Sequence, residues 1–445
     1  MTSAPRAGLM GLTGYHWLVL AAAWLGWGFD VFDALLFNFV APNCVPALLH
    51  LPAGSPQARE ATVFWTGILT SILLIGWAIG GLAFGWFADR YGRKRALFVT
   101  IALYACGTAL CAVATNMWEL VLFRVLASLG IGGEWAVGAS LVAETVPEER
   151  RVEAGTLVYT SSPLGIILAS TVNYHIAGVW LVGSPESSWR WVFLCGLAPV
   201  IVAFLARLFI RESTVWEQHV RHARPPALGE LFSRDMRALT LSGMITAVTA
   251  LLTWWACNAF VPLLGATLAN EYSAQSGITG DAARMLSEAW KSQASNGFNL
   301  GGLIGALAAI PLAKVMGRRT MFVAYFAYSA LVLFATFGLD LSPAARVRML
   351  ALVGVGVYGV FSTFVFYLPE LFPARLRAMG SGLCYNIGRV VAALGPTVVG
   401  LVSANSGGSS DIIVRTLFWL GVIPLITTLL ARWVIIETRG RPLPG

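Results

Sequence analysis

The run AAAWLGWGFDVFDALLFNFVAP, residues 21–42, decides the class of this chain. It is long enough to cross a bilayer, for which about 20 apolar residues suffice. Yet Asp30 and Asp33 stand inside it. A carboxylate at that depth costs about 2.5–3.5 kcal/mol on insertion scales. The spacing of three puts both on one side of a helix, one turn apart. Lone arginines, Arg124 and Arg389, lie deep in two other apolar runs. Charges placed this way mark ion or proton pathways through a membrane.

Composition agrees. The chain has 445 residues, 57% hydrophobic and only 12% charged, where soluble domains carry roughly 25% charged residues. The net charge is +8, but the basic residues cluster in short loops between apolar runs. That pattern sets membrane orientation and gives no reason to expect nucleic acid. The six cysteines lie mainly in apolar segments without metal-ligand spacing, so they read as small packing residues. No P-loop, Ser/His/Asp set or metal cluster occurs in the sequence. Neither an enzyme nor a cofactor is expected, and no metal.

Twelve spans emerge: 15–42, 63–87, 96–115, 117–143, 153–178, 190–210, 239–263, 290–313, 320–339, 347–369, 378–403 and 414–436. The expected fold is an all-α membrane protein of twelve transmembrane helices in two six-helix bundles. Residues 1–210 form the first bundle, 211–238 a central cytoplasmic loop, and 239–445 the second bundle with a short tail. With the N-terminus inside, 21 basic residues fall on the cytoplasmic side and 7 on the other, Lys291 among the 7. The positive-inside rule then puts both termini in the cytoplasm, and the expected location is the inner (plasma) membrane.

The halves repeat a signature. GWFADRYGRKR (85–95) follows span 2 and PLAKVMGRRT (311–320) follows span 8. ETVPEERR (144–151) follows span 4 and ELFPARLR (370–377) follows span 10, each with Glu, then Pro at +3 and Arg at +7.

These residues resemble the major facilitator superfamily. Gly85, Asp89, Arg90, Gly92, Arg93 and Lys94 resemble its helix 2–3 loop motif; Arg124, Gly130 and Gly132 resemble its helix 4 motif. RESTVWEQ (211–218) and Glu437-Thr438-Arg439-Gly440 resemble motifs of the sugar-porter-like branch, with Ile436 in place of the usual Pro. GGEWAVGASLVAETVPEERR, Asp30-x-x-Asp33, Asn386-Ile387-Gly388-Arg389 and Trp254-Trp255 are similar to the organic-acid proton symporters (sialate/lactate, metabolite and aromatic-acid groups). Helices 5 and 7 lack the glutamines usual in sugar porters. In the second half, Lys314 replaces the loop motif's Asp.

Proton coupling falls to Asp30, Asp33, Arg124 and Glu134. Counting 1.5 Å per residue, Asp30 and Arg124 reach nearly the same depth, and helices 1 and 4 are neighbours in the fold the resemblance implies. Asp30 matches the symporters' coupling position better than Asp33 does, and either can titrate; a static salt bridge is the structural alternative. Glu134 stages proton release or holds a gate. Arg389 lies near the midplane, where its planar fork suits a carboxylate; pairing with an acid on a neighbouring helix is its alternative. Asn386, Tyr385, Trp255, Asn258, Asn299 and Tyr358 are candidate cavity walls beside it, against ordinary helix packing. By resemblance, Asp89, Arg90, Arg93, Glu144, Arg151, Glu370 and Arg377 form a cytoplasmic gating latch. The expected function is alternating-access symport of a small organic anion with protons, by a monomer in a lipid bilayer. A sugar or polyol proton symporter and a non-transporting membrane sensor remain as alternatives.

Overall fold

The computed structural model describes residues 12–147, 150–197, 201, 205, 228–373, 376–403 and 410–439. Among them no strand occurs. The first half comprises α1 (Gly14–Leu48), α2 (Pro56–Tyr91), α3 (Arg93–Val113) and α4 (Met117–Thr145). It continues with α5 (Arg151–Tyr159, then Ser161–His175, closed by a π turn Ile176–Trp180) and α6 from Pro185–Cys195. The second half comprises α7 (Arg237–Ser276), α8 (Gly280–Met316) and α9 (Arg318–Gly338). After these, α10 runs Pro343–Val357, a 3-10 turn Gly359–Thr363 and Phe364–Leu371. Finally α11 runs Arg377–Ala392 and Leu394–Ser403, and α12 Ser410–Leu420 and Val422–Val434. Ten helical stretches of the described residues are long and apolar enough to span a membrane. With α4, and with α6, of which only 185–197, 201 and 205 are described, the order is consistent with the twelve expected. Most of the central loop, 211–227, lies outside the described residues.

Local chemistry sets the helix ends. Ser55 and Asn116 cap α2 and α4 by accepting the backbone N–H groups of Ala58 and Glu119 at 3.1 and 3.0 Å, which satisfies donors a helix start leaves open. The repeated loops are repeated turns. Gly92 (φ 105°) alone separates α2 from α3, and Gly317 (φ 85°) alone separates α8 from α9. Only glycine takes such φ values without strain, so each half reverses direction on one residue.

Small residues bring helices together, as expected where lipid is as apolar as the side chains. α2 and α3 both pack on α4, and α8 packs on α10 and α7. A Cβ on Gly354 of α10 would collide with the Phe298 carbonyl of α8. The halves meet through α2–α11, α5–α8 and α1–α7. Below, the face bearing the start of α1 and the end of α12 is the terminal face; the opposite one is the distal face.

One expectation is corrected here. α7 and α8 run well past the spans 239–263 and 290–313, and Lys291, counted at the distal end of the second of these spans among the charges of that side, is wholly buried. Hydropathy ends the span at residue 290 and leaves out Glu288, whereas the helix continues past it and sets it 2.6 Å from Lys291.

Gly354→Ala should cost about 1–3 kcal/mol by overpacking and lower the thermal unfolding midpoint in detergent. Gly382→Ala, with open space around the new methyl, should leave the midpoint unchanged or slightly raised.

Candidate functional site

At the centre of the first half, α4 presents Arg124 to α1. Its Nη2 donates to the Ala34 carbonyl at 2.8 Å and its Nη1 to the Asp33 carbonyl at 3.3 Å. The Asp33 carboxylate lies 3.8 Å from Nη1 and accepts a 2.7 Å hydrogen bond from Thr108 of α3. All of Asp30, Asp33, Arg124 and Glu134 are buried. The expectation left both Asp30 and Asp33 open as partners of Arg124, with Asp30 the better match by resemblance; in the structure Asp33, one turn further along α1, lies beside Arg124. At 3.8 Å the ion pair is too long for a hydrogen bond, while two backbone carbonyls fix the guanidinium independently. Both carbonyl bonds of Arg124 are thus independent of the Asp33 carboxylate.

A second cluster lies between the halves. Trp27 and Val31 of α1, Trp77 of α2, and Tyr159 and Ser162 of α5 face Leu251, Trp254 and Trp255 of α7, Phe361 of α10, and Tyr385 and Arg389 of α11. They enclose about 20 Å³, room for about one water. The breaks in α5 at Thr160 and in α10 at Gly359–Thr363 sit beside lining residues, as discontinuous helices do around transporter sites. Arg389 is the one charged side chain among these lining residues. Its guanidinium lies 4.6 Å from the Trp77 ring centre and 4.8 Å from that of Tyr385, and it donates to Asn386 Oδ1 at 3.1 Å. One ring belongs to each half, so cation–π attraction ties them. Trp77 also meets Trp27 and Trp255 at 5.9 and 5.8 Å.

Of the expected wall residues, Arg389, Tyr385 and Trp255 line this cavity. Asn386 supports Arg389. Tyr358 stands one layer behind, donating to Ser162 at 2.6 Å and packing on Trp254. Asn258 and Asn299 bond backbone carbonyls of their own helices, at Trp254 and Ser295, and are absent from the lining. Trp27, Trp77, Tyr159 and Phe361 were not anticipated, because an aromatic residue in an apolar helix looks the same whether it packs or lines.

The cavity and Asp33 occupy different faces of α1. At about 100° per residue, Asp33 lies roughly 120–160° around the helix from Trp27 and Val31. A rotation or tilt of α1 therefore moves both sites at once.

At the terminal face, the side chains of Asp89, Arg93, Glu144, Arg151 and Arg377 lie outside the described residues. Arg90 is exposed, 5.7 Å from the Trp86 ring. Glu370 takes a two-pronged bond from Arg318, at 2.7 and 3.1 Å, and a bond from Thr438. Glu437 accepts the backbone N–H groups of Arg318, Arg319 and Arg439 at 2.8–3.0 Å. Burial works to raise its carboxyl, but those N–H donors outweigh it and hold the group below its ordinary value. These contacts pin the tail across the start of α9, within the second half. Arg318, of the second-half loop, was not among the expected latch residues.

Fold and site together define a helical membrane protein whose two halves close on a central aromatic cavity holding one cation. The chain belongs to the Major Facilitator Superfamily, which it matches over residues 17–383. It is similar to a gentisate transporter of Corynebacterium glutamicum, 27% identical over 91% of this chain and 85% of that one. It is equally similar, at 27% identity, to a cis,cis-muconate transport protein of Acinetobacter baylyi, over 88% and 93% of the two chains. The crystal structure of a D-xylose-proton symporter matches with a TM-score of 0.74, covering 97% of this chain and 100% of that one at 18% identity; this is a likeness of fold. These relatives are transporters, not enzymes.

Arg124→Leu should be the costliest change at the first cluster, about 3–5 kcal/mol, because it strands a buried carboxylate. Asp33→Asn keeps the Thr108 bond and both carbonyl bonds of Arg124, so its cost should be nearer about 1 kcal/mol. Unfolding midpoints of the two purified variants check the order.

Proposed function

We propose that this protein is a secondary active transporter that brings a small organic acid, with protons, across the plasma membrane by alternating access. It works as two bundles, residues 1–210 and 239–445, joined by the loop 211–238, with both termini cytoplasmic by the positive-inside rule. One observation carries the reading: the sole charge lining a cavity between the halves is an arginine, stacked between two ring faces. In a site shut off from water an arginine binds a carboxylate bidentately and selects against neutral solutes. Walls of Trp, Tyr and Phe add flat contact area for a planar, conjugated anion. Gentisate, carried by one relative, is an aromatic carboxylate; muconate, carried by another, is a conjugated one.

The cycle follows from the two clusters. From outside, a proton neutralises Asp33 or its neighbour Asp30 and weakens their attraction for Arg124, which the backbone of α1 still holds. The substrate carboxylate replaces the ring faces around Arg389. Halves that carry neither net buried charge nor an open cavity then close and reopen inward. There the proton leaves, Asp33 regains Arg124, and the anion departs. Because α1 bears both the carboxylates and two cavity residues, proton and substrate are linked through one helix.

Uptake into proteoliposomes under an imposed pH gradient, with a panel of labelled aromatic acids, short organic acids and hexoses, tests this. Concentrative uptake of an acid is expected, abolished by a protonophore and cut about 100-fold by Arg389→Gln, the loss of roughly 3 kcal/mol of charge-assisted bonding. Asp33→Asn should retain acid exchange while losing accumulation. Uptake confined to a hexose and indifferent to Arg389→Gln would refute the proposal.

A further inference from the structure

Among the described residues, the cross-half hydrogen bonds extend from the midplane to the distal face, and the outermost are charged. Glu288 and Lys291 of α8 form an ion pair of 2.6 Å, with Lys291 wholly buried. Asn43 of α1 donates to Glu288 Oε1 at 3.2 Å, and Asn173 of α5 donates to Oε2 at 2.7 Å. Lys291 Nζ donates to the Phe39 carbonyl of α1 at 2.7 Å. The two helices touch so closely here that a Cβ on Gly178, in the π turn of α5, would sit 2.7 Å from the Glu288 Cβ. One turn inward, Ser170 of α5 and Ser292 of α8 share a 3.0 Å bond.

We infer that the Glu288–Lys291 pair, clasped by Asn43, Asn173 and the Phe39 carbonyl, is the lock of the distal gate. It rests on the alternating-access reading above. The pair lies within one helix, three residues apart, so it survives when the halves part. Opening breaks only the bonds to α1 and α5, and water replaces them on both charges. A purely structural seam in this place would be as stable, or more so, if apolar. An apolar seam, however, would expose hydrocarbon surface at each opening, whereas this one exposes groups that hydrate readily. The charges therefore suit a contact made and broken in every cycle. The position also fits: the lock closes the distal route while the cavity below it has shrunk to the size of a water.

The test needs no substrate. In a full-length chain with its six native cysteines replaced, Ser170→Cys puts a thiol directly beneath the lock, where the wild-type residue is fully buried. A membrane-impermeant maleimide added at the distal face of sealed proteoliposomes reports how often the gate opens. Asn43→Ala removes one clasp without leaving a buried charge unpaired and should raise the labelling rate about tenfold, the factor equal to about 1.4 kcal/mol. Glu288→Gln combined with Lys291→Met should raise it further. Unchanged labelling in Asn43→Ala, with the purified protein monodisperse, overturns the inference even if the double variant fails to fold. So does a lowered unfolding midpoint with no change in labelling. Labelling that rises in a chain that accumulates no tested acid supports the gate and removes the proposed cargo, so the two claims fail separately.

Discussion

A bilayer interior offers no water to a charge, so each buried ion in this chain must be held by something else. That constraint organises the molecule. Arg124 is held by two carbonyls of α1, with Asp33 beyond hydrogen-bonding distance. Arg389 is held by ring faces from opposite halves and by Asn386. Lys291 is held by Glu288 and the Phe39 carbonyl. These differ in what can replace them. Carbonyls of the same bundle are permanent; ring faces yield to a better anion; a clasp across the halves yields to water. The coupling, binding and gating roles proposed for the three cations follow from that order of exchangeability.

The shape of the cavity belongs to the same picture. A pocket for a small organic molecule usually measures about 300–1,000 Å³, and the space around Arg389 is about 20 Å³. Aromatic rings thus fill most of the space around Arg389, which in the proposed cycle corresponds to a closed form. Trp77 stands where these contacts meet. It touches Trp27 within its own half, Trp255 across the divide, and the Arg389 charge. Ring–cation attraction is worth about 2 kcal/mol or more when desolvated, less than a bidentate carboxylate pair, which is why the proposed cycle has an arriving anion displace it.

The fold was largely legible in the sequence because it rests on features that sequence records directly. Apolar length gave the spans, and paired glycine turns at Gly92 and Gly317 appear as the repeated G-R-K and G-R-R loops. Arg124 and Arg389 stood out since an arginine deep in an apolar run is rare. The rest depended on rotation and packing. Depth counted along a helix resolves about one turn, which is the whole distance between Asp30 and Asp33. Trp77 and Tyr159 were invisible because lining and packing aromatics share one signature. The burial of Lys291 was not legible because the groups that hold its pair, on α1 and α5, lie more than 100 residues away in sequence.

Binding of a benzoate-type acid and of its uncharged amide to the purified protein, compared by calorimetry, addresses most directly the claim that Arg389 reads a carboxylate inside an aromatic slot. The amide matches the acid in shape and ring area and lacks only the charge. Heat from the acid and none from the amide, with the acid signal lost in an Arg389→Gln protein of unaltered unfolding midpoint, is the predicted result. Equal binding of both, or acid binding that survives Arg389→Gln, would contradict the account and return Arg389 to a packing role.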